Sequence, residues 1–353
     1  MIAHTRVRHL AHSSLAIATV IIGTSIMTVA PSSAIAPLSL GLNTPTALAS
    51  VGTNIWVANS GSNMITEVNS SGSLLRRVAA ARYRFASPHA MAVAGRDLFV
   101  ASTNNTVAEV DGTTGALVKV LSAASLHLSN PASLAVSWPD LFVANKGNSS
   151  VTEVSILTGQ LVRLLTNVKG QPNRIDQPDA VDVGAGGLWV ANLASNTLTE
   201  YVARTGAFVR TISSPTYALA GPAGISFDGR NIWVTDSTTN SVTEIVASTG
   251  ALFQVITNAS LSGGYGFDSP STTISWHGFV YVVSPPGSSP MVTQVQASTG
   301  VANWMMCNTN YAFQFANPSA LAIEGTSLWV ASAGNNALVQ MNAMTGALVN
   351  RFT

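Results

Sequence analysis

Seven prolines recur along the chain at nearly equal intervals, and this repeat constrains the fold more than any other feature. The intervals are 43, 43, 47, 44, 48 and 48 residues. A period in the forties that carries four strand-like segments is typical of a propeller blade. A helical repeat of this length would need apolar stripes at i, i+3 and i+4, which the sequence lacks. The prolines are Pro45, Pro88, Pro131, Pro178, Pro222, Pro270 and Pro318.

Each unit contains the pattern of four strands. Small residues such as Ala47–Ala49 follow the proline and predict an innermost strand, where neighbouring blades converge. An aromatic strand such as Ile232–Val234 comes next, and its β-branched and aromatic residues suit a surface that is buried on both sides. A third strand leads to a Thr-Gly hairpin, such as Thr249–Gly250, in which the glycine supplies positive φ. The outer strand completes an all-β, seven-bladed propeller with four antiparallel strands per blade.

The repeat also predicts how the ring closes. It is already present at Leu40, and the seventh outer strand ends near Thr353. Because every blade is one continuous segment, we expect blade 7 to pack on blade 1 without a swapped strand. The expected blades lie near residues 40–80, 83–121, 126–165, 173–212, 217–256, 265–306 and 313–353.

The first 36 residues have the pattern of a secretory signal peptide, followed by the propeller over residues 37–353. Arg6 and Arg8 precede an uncharged, mostly apolar run from Leu15 to Ala30. Ala34–Ala36 has the small-x-small pattern of a cleavage site, with Ser32–Ala34 as the alternative. A membrane anchor is the other interpretation, but the run is short for a span of about 20 residues. We expect a secreted or extracytoplasmic bacterial protein (periplasm or cell envelope), with no transmembrane span after leader removal.

Charge and cysteine content exclude several classes of function. Lys and Arg number 16 and Asp and Glu 15, so no strong field favours nucleic acid. The single cysteine, Cys307, cannot form a disulfide within the chain and is interpreted as a small hydrophobic residue. The core alone must therefore stabilise the fold, and we expect a monomer.

Residues that recur in every blade are interpreted as structural. The aromatic strands place one ring in each blade, which predicts a core between blades rather than a stacking platform. A glutamate recurs in the third strand of five blades, but Gln294 and Gln340 replace it in the other two. A position that takes either residue needs a hydrogen-bond acceptor rather than a charge.

Residues that break the repeat are the candidates for function. His89 and Asp179 are the only ionisable residues that directly follow a blade proline, where the channel mouth is expected. Asp182 places a second carboxylate deeper on the same strand as Asp179. The connections between blades add arginines at the same face. The candidate ligand-binding residues are His89, Asp179, Asp182, Arg82, Arg84 and Arg174.

Asp179 and Asp182 are the candidate metal ligands, because carboxylates and histidine suit divalent cations or acid–base chemistry. The alternative is that Asp182 pairs with a nearby arginine or binds channel water, while His89 is a solvated residue at the rim. No catalytic residue is assigned. The sequence has no G-x-S-x-G, H-E-x-x-H, P-loop or dinucleotide fingerprint.

The unit P-x-A-Φ-A-x-x-G-x-x-Φ-W-V-A-N…N-x-V-T-E-V…T-G-A-Φ-V, where Φ is apolar, resembles the NHL and YVTN-type propeller repeats of secreted bacterial proteins. The resemblance covers residues 40–353 and implies the fold, but such propellers include binding proteins, scaffolds and enzymes. It extends to the virginiamycin B lyase-like propellers, which are metal-dependent. No His and Glu pair here matches the catalytic pair of those lyases, so no catalytic role is carried over.

These observations favour a secreted, non-catalytic binding or scaffold module without a cofactor. Its channel-mouth loops would bind a protein, peptide or glycan. The alternative is a lyase or lactone hydrolase that depends on a Mg or Ca ion. A structural envelope protein without a ligand at the mouth is a third interpretation.

Overall fold

The computed structural model describes residues 39–353 except 168, 170–173, 214, 262–265, 286–290 and 308–312. The predicted signal peptide lies outside the described residues. The strands form seven four-stranded antiparallel sheets, each built from four consecutive strands in chain order. The strand Pro45–Val51 packs beside the strand Pro318–Glu324, so the first and last sheets meet without exchanging a strand. The predicted seven-bladed, all-β propeller and its closure without a swapped strand are confirmed.

The sheets are numbered as blades 1 to 7 in chain order. Blades 1 to 3 contain β1 Pro45–Val51, β2 Asn54–Asn59, β3 Met64–Val68, β4 Leu74–Val78, β5 Pro88–Ala94, β6 Asp97–Ser102, β7 Thr106–Asp111, β8 Leu117–Ser122, β9 Pro131–Ser137, β10 Asp140–Asn145, β11 Ser150–Ser155 and β12 Leu161–Leu165. Blades 4 and 5 contain β13 Pro178–Gly184, β14 Gly187–Asn192, β15 Thr197–Val202, β16 Phe208–Ile212, β17 Pro222–Phe227, β18 Asn231–Asp236, β19 Ser241–Val246 and β20 Leu252–Thr257.

Blades 6 and 7 contain β21 Thr272–Trp276, β22 Phe279–Ser284, β23 Met291–Gln296, β24 Ala302–Cys307, β25 Pro318–Glu324, β26 Ser327–Ser332, β27 Ala337–Asn342 and β28 Leu348–Phe352. The described helices are short: α1 Ala123–Leu126 and 3-10 turns at Ala81–Tyr83, Pro215–Tyr217, Asn258–Ser260 and Ala333–Asn335. Each innermost strand begins at the channel mouth, close to its blade proline. Because the four strands are antiparallel, the first and third turns of each blade lie at the opposite face.

The core lies between the blades, as the recurring aromatic residues predict. Trp56 packs with Leu98 and Val100 of the next blade, and its indole N–H donates to the carbonyl of Gly112 at 3.1 Å. The ring in the middle of the aromatic strand is almost completely buried in every blade: Trp56, Phe99, Phe142, Trp189, Trp233, Tyr281 and Trp329. The rings are therefore core and do not form an exposed stacking platform.

Buried carboxylates of the third strands join the outer strands by ion pairs in blades 1 to 4. The nitrogen–oxygen distances are 2.5 to 3.2 Å. The pairs are Glu67–Arg76, Glu109–Lys119, Glu153–Arg163 and Glu200–Arg210. Each cation also donates to a backbone carbonyl at the Thr-Gly hairpin of the next blade; Arg76 reaches Thr113 at 3.0 Å. We call this arrangement of carboxylate, cation and carbonyl the outer clasp.

The residue before each blade proline adopts positive φ, from 43° at Ser87 to 67° at Gly221. Its backbone N–H is bound by a side chain from the preceding blade in six described junctions. The side chain is asparagine in five of them, itself at positive φ in the turn between second and third strands. The pairs of acceptor and donor are Asn63–Ser87, Asn105–Asn130, Ser149–Gln177, Asn196–Gly221, Asn240–Ser269 and Asn336–Thr44. We call each pair a proline staple; the last one spans the seam between blades 7 and 1.

The hydrogen bond of the proline staple that Ser149 of blade 3 forms can be strengthened by a substitution. Ser149 holds φ 51° and accepts its hydrogen bond at 3.1 Å, whereas the asparagine staples are 2.6 to 2.8 Å long. Asparagine tolerates the left-handed region better than serine does. We expect Ser149→Asn to raise the free energy of unfolding by about 0.5–1 kcal/mol, measured by denaturant unfolding. Asn105→Ser is the matched reverse change and should lower it; equal stability of all three proteins would contradict this role.

Candidate functional site

A channel of about 430 Å³ runs along the propeller axis and is lined by the innermost strands. The small residues of these strands leave this space open because larger side chains would meet at the axis. The mouth carries the residues that follow the blade prolines: Thr46, His89, Ala132, Asp179, Ala223 and Ser319. Asp182, Ser226 and Thr273 supply polar groups deeper in the channel.

Side chains at the mouth join neighbouring blades through the proline carbonyls. The hydroxyl of Ser319 donates to the carbonyl of Pro45 at 2.6 Å, and that of Thr46 to the carbonyl of Pro88 at 2.8 Å. His89 continues this series, with Nε2 at 2.6 Å from the carbonyl oxygen of Pro131. Three consecutive junctions therefore share one type of contact, which spans the ring seam.

His89 is held by backbone at both ring nitrogens. Nδ1 lies 3.0 Å from the carbonyl oxygen of Ser87, and Nε2 contacts Pro131. A carbonyl oxygen only accepts hydrogen bonds, whereas a metal-binding histidine needs a free lone pair on nitrogen. In this arrangement neither nitrogen presents a free lone pair to the channel.

Asp179 pairs with a lysine that the sequence analysis did not select. Lys146 Nζ lies 2.6 Å from Asp179 Oδ1, and both side chains are partly exposed at the rim. This ion pair joins blade 3 to blade 4. The three preceding junctions, from blade 7 through blade 1 and blade 2 to blade 3, instead use a hydroxyl group or a histidine. Comparison of the blades could have found it, because Lys146 is the only charged residue directly after an aromatic strand.

Asp182 lies within the channel and bridges blades 4 and 5. Its Oδ1 accepts the N–H of Val183 at 2.8 Å, and its Oδ2 accepts the N–H of Phe227 at 2.9 Å. The side chain is mostly buried, with part of its surface open to the channel. This burial raises the pKa of Asp182 to about 6, against the opposing effect of the two N–H donors. Asp182 forms no ion pair with the described residues.

The three candidate arginines lie outside the channel lining. Arg82 sits over the ring of Tyr83, 5.1 Å from its centroid. Arg84 lines a separate groove of about 370 Å³ with Phe85. Arg174 stacks on Phe208 of an outer strand at 3.8 Å. Of the six candidates, the structure brings only His89, Asp179 and Asp182 to one cavity.

The channel offers a poor donor set for a divalent cation. Calcium and magnesium take six or more oxygen ligands, largely carboxylates, carbonyls and water. Asp179 is already bound to an ammonium group, and both oxygens of Asp182 accept backbone N–H groups. Among the described residues no group of three or more His, Cys, Asp or Glu side chains is placed to hold a metal ion. The residues present therefore do not fit a resident metal in this arrangement.

The fold and site together define a class of protein: a seven-bladed propeller with a charged axial channel. A sequence profile of the family described as outer membrane protein assembly factor BamB matches residues 26–254. The match covers more than half of the chain, so the protein belongs to this family. A search of curated proteins found no significant match.

Solved structures share the fold at low sequence identity. Hydrazine synthase of Kuenenia stuttgartiensis has a TM-score of 0.69 at 14% identity, covering 87% of this chain and 98% of its own. Virginiamycin B lyase of Staphylococcus aureus has a TM-score of 0.64 at 15% identity, covering 83% and 92%. A streptogramin B lyase has a TM-score of 0.65 at 15% identity, covering 84% and 93%. Identities this low show the fold alone.

Asp236 is a buried acid outside the channel. It is fully buried at the end of β18, where blades 1, 3 and 4 have asparagine. Its Oδ2 accepts the hydroxyl of Thr243 at 3.1 Å, and burial raises its pKa to about 8. In blade 1, Asn59 donates its amide to the carbonyl of Val57 at 3.3 Å. A protonated Asp236 supplies a proton where asparagine supplies an N–H.

We therefore expect stability to fall with rising pH because of Asp236. Its folded pKa lies above the ordinary value of 3.8, so its favourable contribution is complete below pH 4 and lost as pH rises through about 8. Asp236→Asn should flatten the pH dependence of the melting temperature and gain on the order of 3–5 kcal/mol relative to wild type near pH 9. Asn145→Asp in blade 3 is the reverse control and should steepen it. Parallel profiles of wild type and Asp236→Asn between pH 4 and 9 would contradict the assignment.

Proposed function

We propose that this protein is an extracytoplasmic binding or scaffold module that engages a protein or peptide partner at its channel-mouth face. The observation that carries the proposal is Asp182, a carboxylate inside the channel without an ion-pair partner among the described residues. Such a group attracts a cation that is small enough to enter. A lysine or arginine side chain of a partner supplies one.

The rest of the mouth supports a binding role. Thr46, His89 and Ser319 contact backbone of the next blade, which gives the rim a fixed shape before a partner arrives. A preorganised rim reduces the entropy lost on binding. A glycan is less suited to this channel, since sugars usually stack on aromatic rings and the described channel lining includes no Phe, Tyr or Trp.

The family relationship supports a protein partner and an extracytoplasmic location. Its description names an assembly factor for outer membrane proteins. The predicted leader over residues 1–36 agrees with export. In the part of the chain that the structure describes, no helix is long and apolar enough to cross a membrane.

Binding of a basic peptide tests this proposal. We expect wild type to bind an acetylated, amidated peptide containing lysine and arginine, as measured by calorimetry. Asp182→Asn should weaken binding about tenfold, or ~1.4 kcal/mol. Affinity should also fall between pH 7 and pH 5, because protonation of Asp182, with a pKa of about 6, removes the attracting charge.

Ser226→Ala is the matched control, because it changes the same channel without changing its charge. It should bind the peptide like wild type. Equal affinities of wild type and Asp182→Asn would contradict the assigned role, as would the absence of peptide binding by wild type.

The alternative function is a metal-assisted lyase or lactone hydrolase. The observation that favours it is the placement of Asp179 and Asp182 in one channel of a propeller whose fold is shared with virginiamycin B lyase. Under this alternative, Mg or Ca ions should raise the melting temperature of wild type but not of Asp182→Ala, and streptogramin B should be turned over. We expect neither result, because Lys146 occupies the position that a metal ion would need beside Asp179.

A further inference from the structure

Blade 5 keeps the carboxylate of the outer clasp but lacks its cation. Glu244 occupies the position of Glu200 in blade 4, and Gln254 stands where blade 4 has Arg210. In blade 4 the arginine pairs with the carboxylate at 2.7 Å and donates to the hairpin carbonyl of Thr249 in the next blade. Gln254 is shorter, and among the described residues it donates to Glu244 alone, at 2.6 Å. The junction between blades 5 and 6 is therefore an outer clasp without a charge partner.

A groove opens at this junction. Its volume is about 400 Å³, similar to that of the channel, and it lies at the face opposite the channel mouth. The charged, aromatic and hairpin residues in its lining include Asp228, Glu244, Phe253, His277, Phe279 and Ser298. Ser298 stands two residues before the hairpin glycine, like Thr113 in blade 2 and Arg204 in blade 4. The backbone carbonyls of those two residues accept hydrogen bonds from Arg76 of blade 1 and Arg163 of blade 3. The groove thus retains the carboxylate and the hairpin carbonyl position of the outer clasp.

Glu244 is a fully buried carboxylate of the groove that forms no ion pair among the described residues. Its two oxygens accept from the neutral amides of Asn231, at 2.5 Å, and Gln254. Burial raises the pKa of Glu244, and the positive charge of Arg230, which also lines the groove, opposes this effect without forming an ion pair in the described chain. Asp228 accepts the indole N–H of Trp233 and two backbone N–H groups, which satisfy that carboxylate locally.

Two further observations point to a ligand rather than to a gap in the repeat. Asn231 is 5% exposed, and its Oδ1 has no hydrogen-bond partner in the described structure. This oxygen is an acceptor beside the carboxylate. Phe253 is 46% exposed and lines the same groove, so an aromatic ring is available to a bound cation.

We propose that the groove between blades 5 and 6 binds a guanidinium or primary ammonium group, which takes the place of the missing clasp cation. Glu244 supplies the charge, the hairpin at Ser298 supplies the carbonyl, and Phe253 covers the apolar part of the ligand. The cation comes either from a free amine or from an arginine or lysine side chain of a partner. The site is independent of the channel, which opens at the other face.

Agmatine, a small guanidinium compound, tests the site directly. At a concentration about ten times the dissociation constant, it should raise the melting temperature of wild type by about 2–4 °C at constant ionic strength. Gln254→Arg should melt higher than wild type without ligand, because its own guanidinium fills the site. In an Asp182→Asn background, which removes the Asp182 carboxylate from the channel, it should not respond to agmatine. In the same background, Glu244→Gln should also fail to respond.

Arg210→Gln is the matched gain-of-site variant. It removes the cation from the outer clasp of blade 4, so calorimetry in an Asp182→Asn background, which removes the Asp182 carboxylate from the channel, should detect two agmatine sites instead of one. A response of Gln254→Arg equal to that of wild type would overturn the proposal. A second result would also overturn it: Gln254→Arg melts higher than wild type, but wild type does not respond to agmatine. Blade 5 would then have a weakened outer clasp and no binding site.

A second measurement separates the two sources of the cation. Acetyl-Gly-Arg-Gly-amide should bind at least as tightly as agmatine if a partner's side chain is the natural occupant, and more weakly if the site selects a free amine. Asp182→Asn should bind both probes in this groove as wild type does. Failure of the channel proposal therefore leaves this site testable.

Discussion

No backbone ladder joins one blade of this propeller to the next, so every junction depends on side chains that reach across it. The proline staple is the interaction on which the ring depends most directly. The residue before each blade proline holds positive φ, and in six described junctions its N–H is bound only by a side chain of the preceding blade. In blades 1 to 4 the outer clasp joins each outer strand to the following blade. The buried aromatic rings fill the space between neighbouring blades.

The repeat predicts the fold because its length, its strand pattern and its hairpin glycine are all properties of a single blade. It does not predict contacts that depend on the spacing between blades. His89 is a candidate ligand-binding residue by sequence, yet its two ring nitrogens lie beside the carbonyl oxygens of Ser87 and of Pro131 in the next blade. Arg174 was placed at the mouth, but stacks on Phe208 of its own blade. Lys146 broke the repeat and could have been selected by the rule that selected Asp179.

Two departures from the repeat in blades 4 and 5 add or expose a negative charge. Asp182 adds a carboxylate inside the channel, and Gln254 removes a cation from the outer clasp. Both changes leave an acidic group without an ion-pair partner in the described chain, one at each face of the ring. We propose that each of these acidic groups receives a basic group, and the family description as an assembly factor is in keeping with binding sites on a protein partner. Under this proposal the repeated contacts supply a rigid frame, and the positions where they are absent supply the specificity of binding.

Amide hydrogen exchange tests the central claim that side chains hold the blade junctions. The N–H groups of Thr44, Ser87, Asn130, Gly221 and Ser269 lie in loops and bind side-chain oxygens instead of backbone. We expect all five to exchange slowly, and Asn336→Ala to release Thr44 while the other four stay protected. Exchange of these amides at unprotected rates in wild type, or their joint release in Asn336→Ala, would contradict the account.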